Sequence, residues 1–171
     1  MSELPDIGIK LLIPESNPAD LNALRYLMLR RATDQDDREW DVPGGRADLV
    51  TDVVPLDTER RELRQEVESD NYGEPVPIAM QHIVRPGLRK LIRFTTLAKA
   101  QNPDTFKPIL SPEHREYAWL TRREIGRRVS DRYLPQVVAE NGSLHKIERL
   151  GVAHLGAGAV EAAVVQLRLL G

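Results

Sequence analysis

Two short stretches, WDVPGGR at residues 40–46 and RELRQEV at residues 61–67, decide the fold. In the first, a short extended segment is predicted to break into a turn at Gly44 and Gly45. Adjacent glycines after a proline let the main chain approach a ligand closely, so their carbonyl oxygens are candidate hard ligands. Taken alone, the same segment is also typical of an ordinary turn.

The second stretch lies in a predicted helix over residues 57–68, for which Asp57 is a suitable N-cap. Glu62, Gln65 and Glu66 are spaced i, i+3 and i+4, so all three project from one face. Carboxylates stacked in this way repel one another. A magnesium ion would turn that repulsion into attraction, because it prefers hard oxygen ligands. An exposed helix covered with solvated charge is the alternative for this segment.

Charge is unevenly distributed along the 171 residues, whose net charge is −2. Residues 34–74 contain 14 acidic and 5 basic residues, so an acidic segment lies inside an otherwise basic chain. Either a bound divalent cation or a solvated acidic face accounts for this segment. The small net charge gives no argument for a nucleic acid or a membrane as the partner.

The composition is that of one globular domain large enough to bury a core. Hydrophobic residues make up 41% and charged residues 29%, which argues against disorder. The absence of cysteine excludes a disulfide scaffold, thiol catalysis and zinc sites built on thiolates. Residues 1–8 contain acids and no apolar run, so we expect no secretory signal and a soluble, cytoplasmic protein.

The order of predicted elements is strands, one helix, further strands and then helices, which indicates a mixed sheet with helices on its faces. A hairpin is expected from residues 76–84 and 88–99, joined by the turn signal Arg85-Pro86-Gly87. Thr121 and Glu124 form a capping box that predicts a short helix. The other predicted strands are residues 7–14, 24–31 and 116–120, and the other predicted helices are residues 131–140, 143–150 and 157–170.

Three segments of the sequence resemble motifs of a known family. Residues 40–46 and 61–67 are similar to the Nudix box, G-x5-E-x7-R-E-U-x-E-E-x-G-U, where U is aliphatic. Residues 113–125, EHREYAWLTRREI, are similar to the family's later strand and helix. The resemblance implies an α/β fold, a Nudix-like α/β/α sandwich with a mixed central sheet, over residues 1–142. Residues 143–171 are expected to form a helical extension that packs on the domain or on a second subunit of a homodimer.

The family hydrolyses nucleoside diphosphates linked to another moiety and uses magnesium or manganese. The resemblance therefore implies a metal-dependent pyrophosphohydrolase acting on a small nucleotide-type substrate. Carried over to this chain, the metal ligands are the carbonyl of Gly44 and the carboxylates of Glu62 and Glu66. The general base is Glu62 or Glu113, although Glu113 also fits an exposed loop glutamate.

Three arginines are candidate substrate-binding residues: Arg46, Arg85 and Arg93. Arg85 and Arg93 belong to the predicted hairpin, where a basic side chain can contact phosphate. Solvated charge at a strand edge is the alternative for each of these hairpin arginines.

The sequence departs from the box at several positions. Two extra residues separate the box glycine from the Arg-Glu pair, and only Asp48 or Asp52 can stand in for the early box glutamate. Gln65 replaces the first Glu of the Glu-Glu pair, and Glu68 replaces the final glycine. Because Gln65 is neutral, we expect weaker metal binding, above all for a second or third ion.

Three hypotheses from different classes follow. The first is a metal-dependent pyrophosphohydrolase. The second is a Nudix-fold module that binds or senses a nucleotide with weak or no turnover, which the changes at Gln65 and Glu68 favour. The third is a structural partner protein, for which the apolar segment 157–170 is the one hint.

Overall fold

The computed structural model describes residues 5–15, 25–32, 40–48, 50–52, 55–68, 72–83, 90–98, 100, 106–129 and 152–154. Within these ranges the chain forms seven strands and two helices. In order, they are β1 (Asp6–Leu12), β2 (Arg25–Arg31), β3 (Trp40–Asp41), α1 (Pro55–Val67), β4 (Val76–Ile83), β5 (Leu91–Leu97), β6 (His114–Thr121), α2 (Arg122–Arg128) and β7 (Val152–His154).

The strands form two sheets of mixed character. The four-stranded sheet has the order β1-β5-β4-β7, in which β1 and β5 are parallel and the other pairs are antiparallel. The three-stranded sheet has the order β3-β2-β6 and is antiparallel throughout. The predicted hairpin is confirmed, since β4 and β5 pair with Gln81 opposite Arg93.

Strand β1 connects the two sheets. Past its end, the chain pairs with β2, where the N–H of Leu27 donates to the carbonyl of Ile13 at 2.9 Å. The segment after β3 runs along the other edge of β1, where the N–H of Ile9 donates to the carbonyl of Gly45 at 2.9 Å. As a result, β1 lies between β5 and the glycine turn.

Hydrophobic side chains on both faces of the central strands are buried, as expected for a sheet covered on two sides. Leu11 of β1 belongs to a cluster that includes Leu63 of α1, whereas Leu12 belongs to a second cluster that includes Ile125 of α2. Because neighbouring residues of a strand point to opposite faces, each face of the sheet has one helix packed on it. The predicted α/β/α sandwich with a mixed sheet is confirmed.

Helix α1 begins at Pro55, two residues before the predicted start. Proline is favoured at the first helical position because its missing N–H would have no partner there. Asp57 therefore lies in the first turn rather than at the N-cap. At α2, the predicted capping box is confirmed: the hydroxyl of Thr121 accepts from the N–H of Glu124, and the Glu124 carboxylate accepts from the N–H of Thr121.

The predicted helices at residues 131–140, 143–150 and 157–170 lie outside the described residues. Of the expected helical extension, the structure describes Val152–His154, which is a strand that pairs with β4. Neither described helix has the length and apolarity that crossing a membrane requires.

Candidate active site

The glycine turn packs tightly on β1 and on helix α1. Gly44 has a φ of +137°, and a Cβ at this position would lie 2.2 Å from the carbonyl oxygen of Ile9. Only glycine fits this backbone conformation and this space. The N–H of Gly44 donates to Oε2 of Glu66 at 2.7 Å, which ties the turn to the helix.

Glu62 reaches the same turn one helical turn earlier. A Cβ at Gly45 would lie 2.4 Å from Cδ of Glu62, so the carboxylate rests directly on the glycine backbone. The side chains of Glu62 and Glu66 are 14% and 12% exposed. Both carboxylates therefore lie against the Gly44–Gly45 turn.

Arg61 holds the helix against the loop that follows the turn. Its Nη2 donates to Oδ2 of Asp52 at 2.9 Å and to the carbonyl of Arg46 at 2.8 Å. Its Nη1 donates to Oε1 of Glu62 at 2.6 Å and to Oε1 of Gln65 at 3.2 Å. One planar guanidinium thus fixes both the loop and a candidate metal ligand, a use for which lysine lacks the donors.

Asp52 and Asp48 have different roles in that loop. Asp52 accepts from Arg61 and from the hydroxyl of Thr58 at 2.9 Å, and the Arg61 guanidinium holds the pKa of Asp52 well below its usual range. Asp48 accepts from the N–H of Val50 at 3.0 Å, which closes the turn. Of the two residues, Asp52 is thus the one that contacts the box arginine.

Lys10 and Asp41 complete the surroundings of the turn, and sequence reasoning missed them. Nζ of Lys10 lies 2.7 Å from Oδ2 of Asp41 and 3.5 Å from the carbonyl oxygen of Gly44. Lys10 interrupts the apolar run IGIKLLIP, and a charge in the middle of a buried strand is a signal that it has a partner.

Burial sets the protonation of the groups around Glu66. It raises the pKa of Glu66 to about 7, while the Gly44 N–H and the Lys10 charge act in the opposite direction. Nε2 of His114 lies 3.6 Å from Oε1 of Glu66, and burial lowers the pKa of His114. Burial thus favours the uncharged form of both the Glu66 carboxyl and the His114 imidazole.

The other predicted site residues differ in their burial and in their contacts. Glu113 is exposed, although its neighbour His114 contacts Glu66. The side chain of Arg46 is 76% exposed, and its Nη1 lies 3.4 Å from Oδ2 of Asp6. Arg93 is buried and its Nε donates to Oε1 of Gln81 at 2.6 Å. Arg85 lies outside the described residues.

The donors at the turn suit a hard divalent cation. Among the described residues, no three carboxylate or imidazole groups come together closely enough to hold a metal alone. Magnesium, however, is commonly bound by one or two carboxylates together with phosphate and water. The buried carboxylates of Glu62 and Glu66, beside the Gly44 carbonyl, fit that requirement when a phosphate ligand completes it.

Solved structures with the same fold include several Nudix proteins. An Ap4A hydrolase of C. elegans in a binary complex superposes with a TM-score of 0.59 at 17% identity, covering 78% of this chain and 92% of that one. The MutT protein of Methanosarcina mazei Go1 gives 0.56 at 20% identity, covering 78% and 89%. The Nudix domain of Shewanella oneidensis NrtR complexed with ADP ribose gives 0.55 at 12% identity, covering 74% and 79%.

No protein-family model matches the chain, and no curated protein sequence does. The resemblance to the Nudix family is thus confirmed at the level of the fold. At these low identities, any assignment of activity has to come from the site itself.

Proposed function

We propose that this chain is a metal-dependent hydrolase that cleaves the pyrophosphate bond of a small, nucleoside-diphosphate-linked substrate. The observation that carries the proposal is the convergence of Glu62 and Glu66 on the Gly44–Gly45 turn within a Nudix fold. Carboxylates that repel one another next to a close-packed backbone turn are suited to a cation that bridges protein and phosphate.

In this proposal, Glu62, Glu66 and the carbonyl of Gly44 hold magnesium or manganese. When bound, the ion would neutralise phosphate charge and help to ionise the attacking water. Arg61 keeps Glu62 in place through its 2.6 Å hydrogen bond. Lys10 contributes a positive charge next to the Gly44 carbonyl, where substrate phosphates would accumulate negative charge.

The remaining predicted residues keep their roles as proposals. Either Glu62 or Glu113 acts as the general base, and Glu113 precedes His114, the residue that contacts Glu66. Arg46 follows the glycine turn and has an exposed side chain, so it is well placed to meet a phosphate. A cytoplasmic location and a homodimer also stay predictions.

The variant Glu66→Gln tests the proposal, because it removes one charge while keeping an oxygen that can accept from Gly44. We expect loss of Mn²⁺ binding by calorimetry and loss of hydrolysis, with an unchanged fold and an equal or higher melting temperature without metal. Glu74→Gln, at an exposed position, is the matched control. Hydrolysis by Glu66→Gln at the parent rate would show that Glu66 is not a ligand.

The second candidate is a Nudix-fold module that binds a nucleotide without turning it over. Gln65 in place of a box glutamate and the Lys10 contact to the Gly44 carbonyl favour it, since both weaken a metal site. A panel of nucleoside triphosphates, ADP-ribose, dinucleoside polyphosphates and nucleotide sugars separates the two candidates. Melting shifts without product release would identify the binding module.

A further inference from the structure

His114 is a buried histidine at the start of β6, and its imidazole lies beside Glu66 of α1. The side chain of His114 is 6% exposed, and its Nε2 lies 3.6 Å from Oε1 of Glu66. This separation is too long for a hydrogen bond. The other carboxylate oxygen of Glu66, Oε2, accepts from the N–H of Gly44 at 2.7 Å. Nε2 and Oε1 therefore face each other without a hydrogen bond between them, in two largely buried side chains.

The main chain holds this imidazole in place relative to α1. The N–H of Ser111 donates to the carbonyl of Glu66 at 3.1 Å, and the N–H of His114 donates to the carbonyl of Ser111 at 3.0 Å. On the other side, the carbonyl of Glu113 accepts from the N–H of Ala32 at 2.8 Å, which ties the same segment to the residue after β2. The backbone thus fixes His114 next to the last turn of α1 from two directions.

The second ring nitrogen of His114 has a partner of its own. Nδ1 lies 3.5 Å from the hydroxyl oxygen of Ser111. A histidine that ligates a metal usually has such a partner on its other ring nitrogen, because that contact sets the tautomer and the orientation of the ring. Since Nδ1 is next to Ser111, Nε2 is the nitrogen that can bind a ligand, and it faces Glu66.

The distance between Nε2 and Oε1 suits two donor atoms that share one ion. Donor atoms about 2.1 Å from the same ion lie about 3.0 Å apart in octahedral geometry and about 3.4 Å apart in tetrahedral geometry. The 3.6 Å between His114 and Glu66 is close to the second value, so only a small shift of either side chain is needed. The charge of Lys10 also acts on Glu66, but the Lys10 ammonium is paired with Asp41 at 2.7 Å.

We propose that His114 is a further ligand, through Nε2, of the metal ion that Glu66 binds. The inference rests on the proposed function, in which Glu66 is a metal ligand, and it adds a nitrogen donor from outside the two stretches that are similar to the Nudix box. Magnesium prefers oxygen donors, whereas imidazole suits transition metals. The site therefore selects a transition-metal ion over Mg²⁺.

The first test detects the nitrogen ligand directly. Pulsed EPR of Mn²⁺ bound to the full chain should show nitrogen hyperfine coupling in the parent, and the coupling should be absent in His114→Gln. His82→Gln is the matched control, because His82 is an exposed histidine on β4, and this variant should keep the coupling. Coupling that is missing in the parent, or that persists in His114→Gln, would overturn the assignment.

The second test separates a ligand from a residue that only positions Glu66. By calorimetry, His114→Gln should weaken Co²⁺ binding about tenfold or more and leave Mg²⁺ binding within about twofold of the parent. Ser111→Ala, which removes the partner of Nδ1, should weaken Co²⁺ binding about tenfold. His82→Gln should bind both ions as the parent does. Equal losses for the two ions in His114→Gln would overturn the assignment, because they would show that His114 only positions Glu66.

Hydrolysis of the substrate panel with Mn²⁺ distinguishes this inference from the proposed function. Nitrogen coupling in a protein that hydrolyses no compound of the panel would overturn the proposed function and support His114 as a ligand. Metal-dependent hydrolysis without nitrogen coupling would overturn the His114 ligand and support the proposed function. A parent protein that binds no Mn²⁺ would overturn both.

Discussion

The carboxylate of Glu62 rests on the Cα of Gly45, where an added Cβ would lie 2.4 Å from both Cδ and Oε1 of the glutamate. The adjacent Gly44 faces the main chain of β1 instead, with a Cβ position 2.2 Å from the carbonyl oxygen of Ile9. Gly45 therefore makes room for the Glu62 side chain, which can rotate. Gly44 makes room for the main chain of β1, which cannot move aside.

The variants Gly45→Ala and Gly44→Ala should differ for that reason. Gly45→Ala should push the Glu62 carboxylate aside at a loss of about 1 kcal/mol in unfolding free energy, with Mn²⁺ affinity falling about tenfold or more. Gly44→Ala should lose about 4 kcal/mol or fail to fold, because it combines a backbone clash with a left-handed φ. Chemical denaturation and calorimetry measure both quantities, and equal losses of stability would contradict this account.

Glu68 adopts a φ of +45° directly after Val67, the last residue of α1. A glycine is common in this conformation after a helix, and any other residue costs about 1 kcal/mol or more. The variant Glu68→Gly should therefore raise the unfolding free energy by about 1 kcal/mol. Glu68→Ala removes the same carboxylate but keeps the strained φ, so its stability should stay at or below that of the parent. Thermal melts of both variants check the difference.

Much of the fold could be predicted because local signals agree with the tertiary structure. The hairpin, the capping box at Thr121 and the helix bearing Glu62 and Glu66 all follow from patterns within about two dozen residues. The start of α1 was misplaced because Asp57 and Pro55 are both typical of a helix N-terminus, and the helix begins at Pro55. The pairing of Val152–His154 with β4 depends on contacts distant in sequence, which no local pattern reveals.

The candidate site was predictable only in part. The helical spacing of Glu62 and Glu66 identified the carboxylates, and the paired glycines identified the turn. The partners of Arg61 could not be read from the sequence, because Asp52 and Arg46 lie nine and fifteen residues away across a loop. Lys10 and Asp41 are 31 residues apart, so no local pattern reveals their contact.

Replacing Arg61 by lysine should loosen the loop over residues 46–52. Lysine retains the charge but cannot reach Asp52, the Arg46 carbonyl and Glu62 together. We expect a loss of about 2 kcal/mol in unfolding free energy and faster amide exchange in this loop. Arg60→Lys, one position away and exposed, should change stability by less than about 0.5 kcal/mol. Unchanged exchange in the loop would show that Arg61 does not hold it.

Glu59 is buried between α1 and the sheet, where it is 3% exposed. The hydroxyl of Thr96 donates to its Oε1. Burial raises the pKa of Glu59 to about 8, against the opposing charge of Arg60. The folded protein thus keeps this proton at neutral pH, whereas the unfolded chain releases it near the ordinary value of 4.5.

Because of this difference in pKa, the unfolding free energy falls as the pH rises. Between about pH 4.5 and 8 the unfolded chain binds fewer protons at Glu59 than the folded protein. The contribution of Glu59 to the unfolding free energy therefore falls as pH rises, by up to about 1.4 kcal/mol per pH unit, and levels off above pH 8.

Glu59→Gln keeps an acceptor for Thr96 and removes the titration. We expect the variant to match the parent near pH 5 and to be more stable by a few kcal/mol at pH 9. Glu116→Gln, at an exposed carboxylate, should reproduce the parent's profile. Denaturation at a series of pH values measures these curves, and parallel curves for Glu59→Gln and the parent would show that the buried carboxyl does not titrate in this range.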